Sequence, residues 1–161
     1  MRAELLPVVR QIEDGDLIKF VQRTHDGLET ESVMVPMRRH GREWKSLCVS
    51  SQIGCARGCV FCETGQMGLV RNLSVSEIVG QVVAVKTHFE QKVRNIVFMG
   101  MGEPFDNFDN VIQAVRVLND PAGLSISCER IAISTVGRIE GIRRVAALGL
   151  RRLNLAISLN A

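Results

Sequence analysis

Four short apolar runs, separated by helical hydrophobic periods, constrain the fold of this chain more than any other feature. They lie at 46–51, 95–99, 130–134 and 153–158. Between them, Ser74-Val75-Ser76-Glu77 forms a capping box, in which the Ser74 hydroxyl and the Glu77 carboxylate satisfy the first helix amides. The helix it opens carries Ile78, Val79, Val82 and Val83 on one side and ends near residue 90. A second helix from about residue 107 turns Phe108, Val111, Ile112, Val115 and Leu118 inward and stops before Pro121. Ile139, Ile142, Val145 and Ala146 mark a third, with Gly149 as its C-terminal cap. Continuous apolar strands joined by helices predict an α/β fold: about four parallel strands covered by helices, as part of a (β/α) barrel. Ahead of it, 17–24 and 28–36 flank His25-Asp26-Gly27 as a β-hairpin. The expected division is an N-terminal extension over 1–44 and the strand-helix unit over 45–161. Sequence stops right after the fourth strand, so a partial barrel with an open edge, able to associate with another chain, is expected.

The exit of the first strand holds the chemistry. Cys55, Cys59 and Cys62 place three thiols within eight residues, with Gly54 and Gly58 allowing the backbone to turn around a bulky group. A structural zinc site wants four converging ligands, commonly as two separated pairs. Three thiolates on a four-iron cluster instead leave one iron open for a ligand that is not protein. That is the requirement of chemistry in which a [4Fe-4S] cluster binds S-adenosylmethionine and generates a carbon radical. Ligands of parallel strand-helix sheets gather beyond the carboxyl ends of the strands. The other three exits carry Gly100-Met101-Gly102-Glu103-Pro104, Ser134-Thr135-Val136-Gly137 and Ser158-Leu159-Asn160. Taken singly these are ordinary turn glycines, helix caps and a solvated acid; their coincidence on the cysteine rim makes them binding candidates.

Composition excludes some classes. Twenty basic against seventeen acidic residues, for a net charge of +3, give no strong electrostatic footprint for nucleic acid. The densest basic group, Arg143, Arg144, Arg151 and Arg152, reads as favourable charge near a helix end. No apolar run is long enough to cross a membrane and no signal peptide is apparent, so a cytoplasmic protein with reduced thiols is expected.

With these residues assembled, the chain resembles the radical S-adenosylmethionine adenine-C2 methyltransferases of ribosomal and transfer RNA, the RlmN/Cfr family. The likeness runs through Cys48-Val49-Ser50-Ser51-Gln52, the cysteine loop, Thr64-Gly65-Gln66, Arg71-Asn72-Leu73, Gly100-Met101-Gly102-Glu103-Pro104, Ser134-Thr135 and Leu155-Ala156-Ile157-Ser158-Leu159. It implies a partial radical-SAM barrel in which Cys55, Cys59 and Cys62 ligate the cluster. Gly102, Glu103, Ser134, Ser158, Leu159 and Asn160 would hold S-adenosylmethionine. Glu31 matches the segment of the proton acceptor, and Cys48 the cysteine that releases the product by forming a disulfide. The implied reaction loads a methyl group onto a cysteine, abstracts hydrogen from it with a 5'-deoxyadenosyl radical, and adds the carbon radical to adenine. RNA and an electron donor such as flavodoxin or ferredoxin are the implied partners.

The likeness is incomplete. The methyl-carrying cysteine of the family lies in a C-terminal portion that this sequence lacks. Cys128, the spare thiol, is expected to be a packing residue at the end opposite the rim. Val136 and Asn160 depart from the serine and histidine usual in the family. Two alternatives stand beside the methyltransferase: adenine C8 methylation or another radical SAM reaction, and a non-catalytic iron-sulfur or zinc-binding fragment acting through a partner.

Overall fold

The computed structural model describes residues 5–159, so candidate Asn160 lies outside the described residues. The first half holds β1 (Val8–Asp14), β2 (Leu17–Arg23), β3 (Glu29–Arg39), β4 (Arg42–Cys48), β5 (Gln52–Gly54), α1 (Glu63–Gln66), β6 (Leu69–Asn72) and α2 (Val75–Thr87). The second half holds β7 (Asn95–Phe98), a 3-10 turn (Pro104–Asn107), α3 (Phe108–Asn119), β8 (Ile131–Thr135), α4 (Ile139–Ala147) and β9 (Asn154–Ile157). One seven-stranded mixed sheet runs β1-β2-β3-β4-β7-β8-β9. Its first four strands form an antiparallel meander, and β4, β7, β8 and β9 are parallel.

The expected hairpin is β2–β3, with Thr24 Oγ1 donating to Leu28 O and Gly27 at φ 80° closing the turn. The hydrophobic pattern announces no strand before residue 17, yet β1 edges the sheet. Its largely exposed side chains leave no apolar face to read. β4 begins four residues before the expected strand and crosses residues 44 and 45, so the meander passes into the parallel strands without a break. Val49 still pairs with the β7 segment, its N–H donating to Val97 O, but Ser50 and Ser51 turn their polar groups to other partners.

Alternation gives the sheet two unlike faces. Ile18, Phe20, Met34, Leu47, Ile96, Phe98, Ile131 and Ile133 are buried in one core, under α2 and α3. In-register pairing puts Glu31, Val33, Cys48, Val97, Ala132, Ser134 and Ala156 on the opposite face. The capping box of α2 forms as expected, with Glu77 N–H donating to Ser74 Oγ and Ser74 N–H to Glu77 Oε2. Full burial of a Val, Leu, Ile or Phe side chain is worth about 1.5–3 kcal/mol. α3 buries Phe108, Val111, Ile112, Val115 and Leu118, and so is anchored by tertiary packing. α4 buries only Gly141, and Ile139 is exposed, so its expected apolar face is half engaged, through Ile142 and Val145. Among the described residues no helix is long and apolar enough to cross a membrane.

Candidate active site

The parallel strands deliver four loops to one rim. There a cleft of about 280 Å³ is lined by Cys55, Cys59 and Cys62, by Gly100, Gly102 and Glu103, by Ser134, Thr135 and Val136, and by Ser158. Seven of the nine residues that the resemblance assigns to the cluster or to S-adenosylmethionine therefore line one space. Leu159 follows directly and is exposed.

The cysteine loop is an excursion pinned at its base by an antiparallel pair, β5 and β6, that no hydrophobic pattern announces. Gln52 faces Asn72 and Ile53 faces Arg71, and the Cys55 amide donates to Gly68 O at 2.9 Å. Gly54 has φ 73°, and a Cβ there would sit 1.8 Å from Gly68 O, so only glycine lets the two loop ends close. Within the loop the Arg57 amide donates to Cys55 Sγ at 3.5 Å. Burial is the main cause that pushes the Cys55 thiol up, against that amide bond. All five cysteines are free thiols, so no disulfide joins them.

These thiols suit an iron-sulfur cluster by donor chemistry: three free cysteines line one cleft, and thiolates are the usual ligands of such clusters. Among the described residues no group of three His, Cys, Asp or Glu side chains is placed to hold a metal ion.

Behind the cleft lies a buried polar scaffold built from the segment Ser50-Ser51-Gln52. Gln81, on α2, accepts from Ser50 N–H at 2.8 Å and from Ser32 Oγ at 2.7 Å, and donates to Ser50 O at 2.9 Å. Ser50 Oγ donates to Glu31 O and accepts from Met101 N–H. Gln52 Oε1 accepts from Glu103 N–H at 2.9 Å, and its amide group donates to Asn72 Oδ1 at 2.7 Å. Asn107 Nδ2 donates to both Ser51 O and Leu73 O at 2.7 Å. These side chains lock the exit of β7 to the exit of β4. Gln81 and Asn107 were missed from sequence; their only signal is a polar residue on an otherwise apolar helical stripe or turn.

The Glu103 carboxylate does not point freely into the cleft. Glu103 is 2% exposed, and its two oxygens accept from Phe105 N–H at 3.1 Å and Val136 N–H at 2.9 Å, tying the exits of β7 and β8 together. Ser134 Oγ and Ser158 Oγ lie 2.8 Å apart, joining the exits of β8 and β9.

Cys48 and Glu31 stand outside the cleft lining but share the face opposite the helices. Glu31 is paired with Lys19 at 2.6 Å. Burial pushes the Cys48 thiol above its ordinary value, and the Glu31 charge adds to this, while the Met99 amide opposes it. Cys128 sits in the turn before β8, at the opposite end of the strands from the rim. The basic group read from sequence is split: Arg144 pairs with Asp109 and stacks on Phe108, whereas Arg152 pairs with Glu129.

The chain resembles known proteins in sequence and in fold. The family model described as the Radical SAM superfamily matches residues 49–158. The chain is 50% identical over 156 residues to a probable dual-specificity RNA methyltransferase RlmN 1 of Protochlamydia amoebophila, covering 97% of this chain and 42% of that protein. It is 47% identical over 153 residues to the corresponding probable RlmN of Aquifex aeolicus, covering 94% and 43%. The crystal structure of a radical SAM methyltransferase from Sphaerobacter thermophilus superposes with a TM-score of 0.87 at 41% identity, covering 98% of this chain and 46% of that one. The chain thus spans less than half the length of each of these relatives.

Proposed function

The chain belongs to the radical SAM superfamily, and on that premise we propose that it is the cofactor-holding part of an RNA adenine-C2 methyltransferase acting on ribosomal and transfer RNA. The observation that carries this reading is the meeting of three cysteines, the Gly102-Glu103 exit and the Ser134–Ser158 pair around one cleft. The 41–50% identity to RNA methyltransferases and a radical SAM methyltransferase narrows it to this chemistry. Residues 45–161 are assigned to the radical SAM portion, and 1–44 to an extension that lengthens its sheet.

In this reading Cys55, Cys59 and Cys62 hold a [4Fe-4S] cluster, and Gly102, Glu103, Ser134, Ser158, Leu159 and Asn160 hold S-adenosylmethionine. The cluster, when bound, supplies an electron to S-adenosylmethionine and so opens radical chemistry at carbon. Adenine carbon-2 is a poor nucleophile, which is why simple displacement does not methylate it. Glu103 fixes the backbone of two rim loops, so the donors and acceptors facing the cleft are held in place before the cofactor arrives. The Ser134 and Ser158 hydroxyls keep hydrogen-bonding capacity for a ribose or ammonium group. Glu31 acts as proton acceptor for the base, and the Cys48 thiolate would attack the sulfur of the methyl-carrying cysteine supplied by the remainder of the enzyme, forming a disulfide as that sulfur's bond to the transferred carbon breaks and the carbon takes the electron pair and a proton. An RNA substrate and an electron donor such as flavodoxin or ferredoxin are the partners, in the cytoplasm.

Anaerobic reconstitution followed by electron paramagnetic resonance tests the reading. The reduced chain is expected to show a four-iron signal that shifts when S-adenosylmethionine is added. Cys59→Ala abolishes cluster assembly, and Cys128→Ala leaves it intact. Equal iron loading in both variants, or a signal indifferent to the cofactor, refutes the assignment.

A further inference from the structure

Arg57 is the charged residue between the first two cysteines, and its role is not explained by ligation. Its guanidinium Nη2 lies 2.9 Å from Asp106 Oδ2, and Asp106 Oδ1 lies 3.1 Å from Arg138 Nε; both are ion pairs, and the buried Asp106 Oδ2 and Arg57 Nε make no hydrogen bond among the described residues. Arg57 comes from the cysteine loop, Asp106 from the 3-10 turn after Gly102-Glu103-Pro104, and Arg138 from the exit of β8. One carboxylate thus joins three of the four segments that build the rim. The Asp106 side chain is 13% exposed, against 47% for Arg138, so Asp106 is the shielded centre of the cluster.

The rest of the loop lacks any comparable attachment. Its base is tied by Cys55 N–H to Gly68 O, while the Gln66 amide group and the Cys62 N–H bond within the loop, to Val60 O and Cys59 O. Val60 and Phe61 are exposed. Among the described residues, Arg57–Asp106 is the single side-chain ion pair or hydrogen bond that reaches from residues 56–67 to another part of the rim. A loop closed only at its base retains most of its conformational entropy, and the Arg57 contact, two residues past Cys55, orders the start of the loop against the neighbouring exits.

We propose that Arg57 is a positioning residue, held by an Asp106 carboxylate that Arg138 orients, which fixes the cysteine loop against the S-adenosylmethionine-binding exits. The proposal rests on the reading of residues 55–62 as cluster-binding. Arg138 acts at one remove: it fixes Asp106 and does not touch the loop.

Hydrogen exchange on the full chain, reduced and without metal, reads the tether directly. Arg57→Met and Asp106→Asn are expected to speed exchange of amides 55–68 about tenfold while α3 and β7 keep wild-type protection. Arg138→Gln has a smaller effect on the loop, and Asp106→Glu, which keeps the carboxylate, recovers most of the protection. After anaerobic reconstitution, Arg57→Met and Asp106→Asn release iron to a chelator faster than wild type. Loop exchange that is unchanged in both variants overturns the proposal, and so does a loosening spread equally through α3 and β7. Should the wild-type chain take up no iron, the cluster reading fails, and the exchange comparison still decides whether the tether exists.

Discussion

Asn107 offers the sharpest test of the scaffold behind the cleft. The residue is 3% exposed, its Nδ2 donates to Ser51 O and Leu73 O at 2.7 Å, and its Oδ1 accepts from Asn110 Nδ2 at 2.8 Å. Asn107→Ala removes both donated bonds at once. Ser51 O keeps the Leu73 N–H as a partner, but Leu73 O is left without one among the described residues. An orphaned buried carbonyl costs about 1–3 kcal/mol, and a carbonyl that loses one of two bonds about 1, so the substitution destabilises by about 3 kcal/mol. Urea denaturation checks this: with a slope of about 2 kcal/mol/M, the midpoint falls by about 1.5 M. The order of variants is as diagnostic as the size. Asn110→Ala, which leaves both donated bonds in place, costs less than about 1 kcal/mol. Asn107→Asp sets a carboxylate against two carbonyl oxygens and is worse than Ala. A loss below about 0.5 kcal/mol for Asn107→Ala, or an Asp variant as stable as wild type, would refute the reasoning.

Three further outcomes rest on other contacts of the fold. Gly102 has φ 97° and a Cβ there would fall 2.5 Å from Gln52 Cβ, so Gly102→Ala costs about 2 kcal/mol or more in thermal unfolding; an unchanged midpoint contradicts the close approach. Arg71 binds Asp26 and Glu77: its hydrogen bonds hold the Asp26 carboxyl well below the usual range, and for Glu77 burial pushes upward but the Arg71 and Ser74 bonds win. Depressed folded values mean that this stabilisation is present above the ordinary carboxylate range and is lost as pH falls through them. Arg71→Gln should therefore flatten the loss of stability on acidification, and identical pH profiles would count against it. Finally, the half-buried Cys48 thiol alkylates with iodoacetamide only at higher pH than a free cysteine, and Glu31→Gln moves its profile back down; an unmoved profile would place the two groups too far apart to interact.

Local features announce what local forces build. The Ser74–Glu77 capping box, the inward stripe of α3, the Gly149 stop after α4 and the cysteine spacing all act over a few residues, and all are visible in the chain before it folds. The spacing of three thiols near a glycine-rich exit was visible for the same reason. What tertiary structure alone decided is non-local. β1 is a strand because β2 offers it an edge, and β5 pairs with β6 because the cysteine loop must close between them. The Glu103 carboxylate is taken by amides at Phe105 and Val136, the second of them 33 residues away, so a side chain that reads as a free charge becomes a clamp. Gln81 and Asn107 satisfy backbone groups 31 and 56 residues distant, and Arg57, Asp106 and Arg138 meet only when three strand exits share one rim. Buried polar groups must find partners wherever the fold supplies them, and a linear pattern of apolar residues carries no record of where that will be.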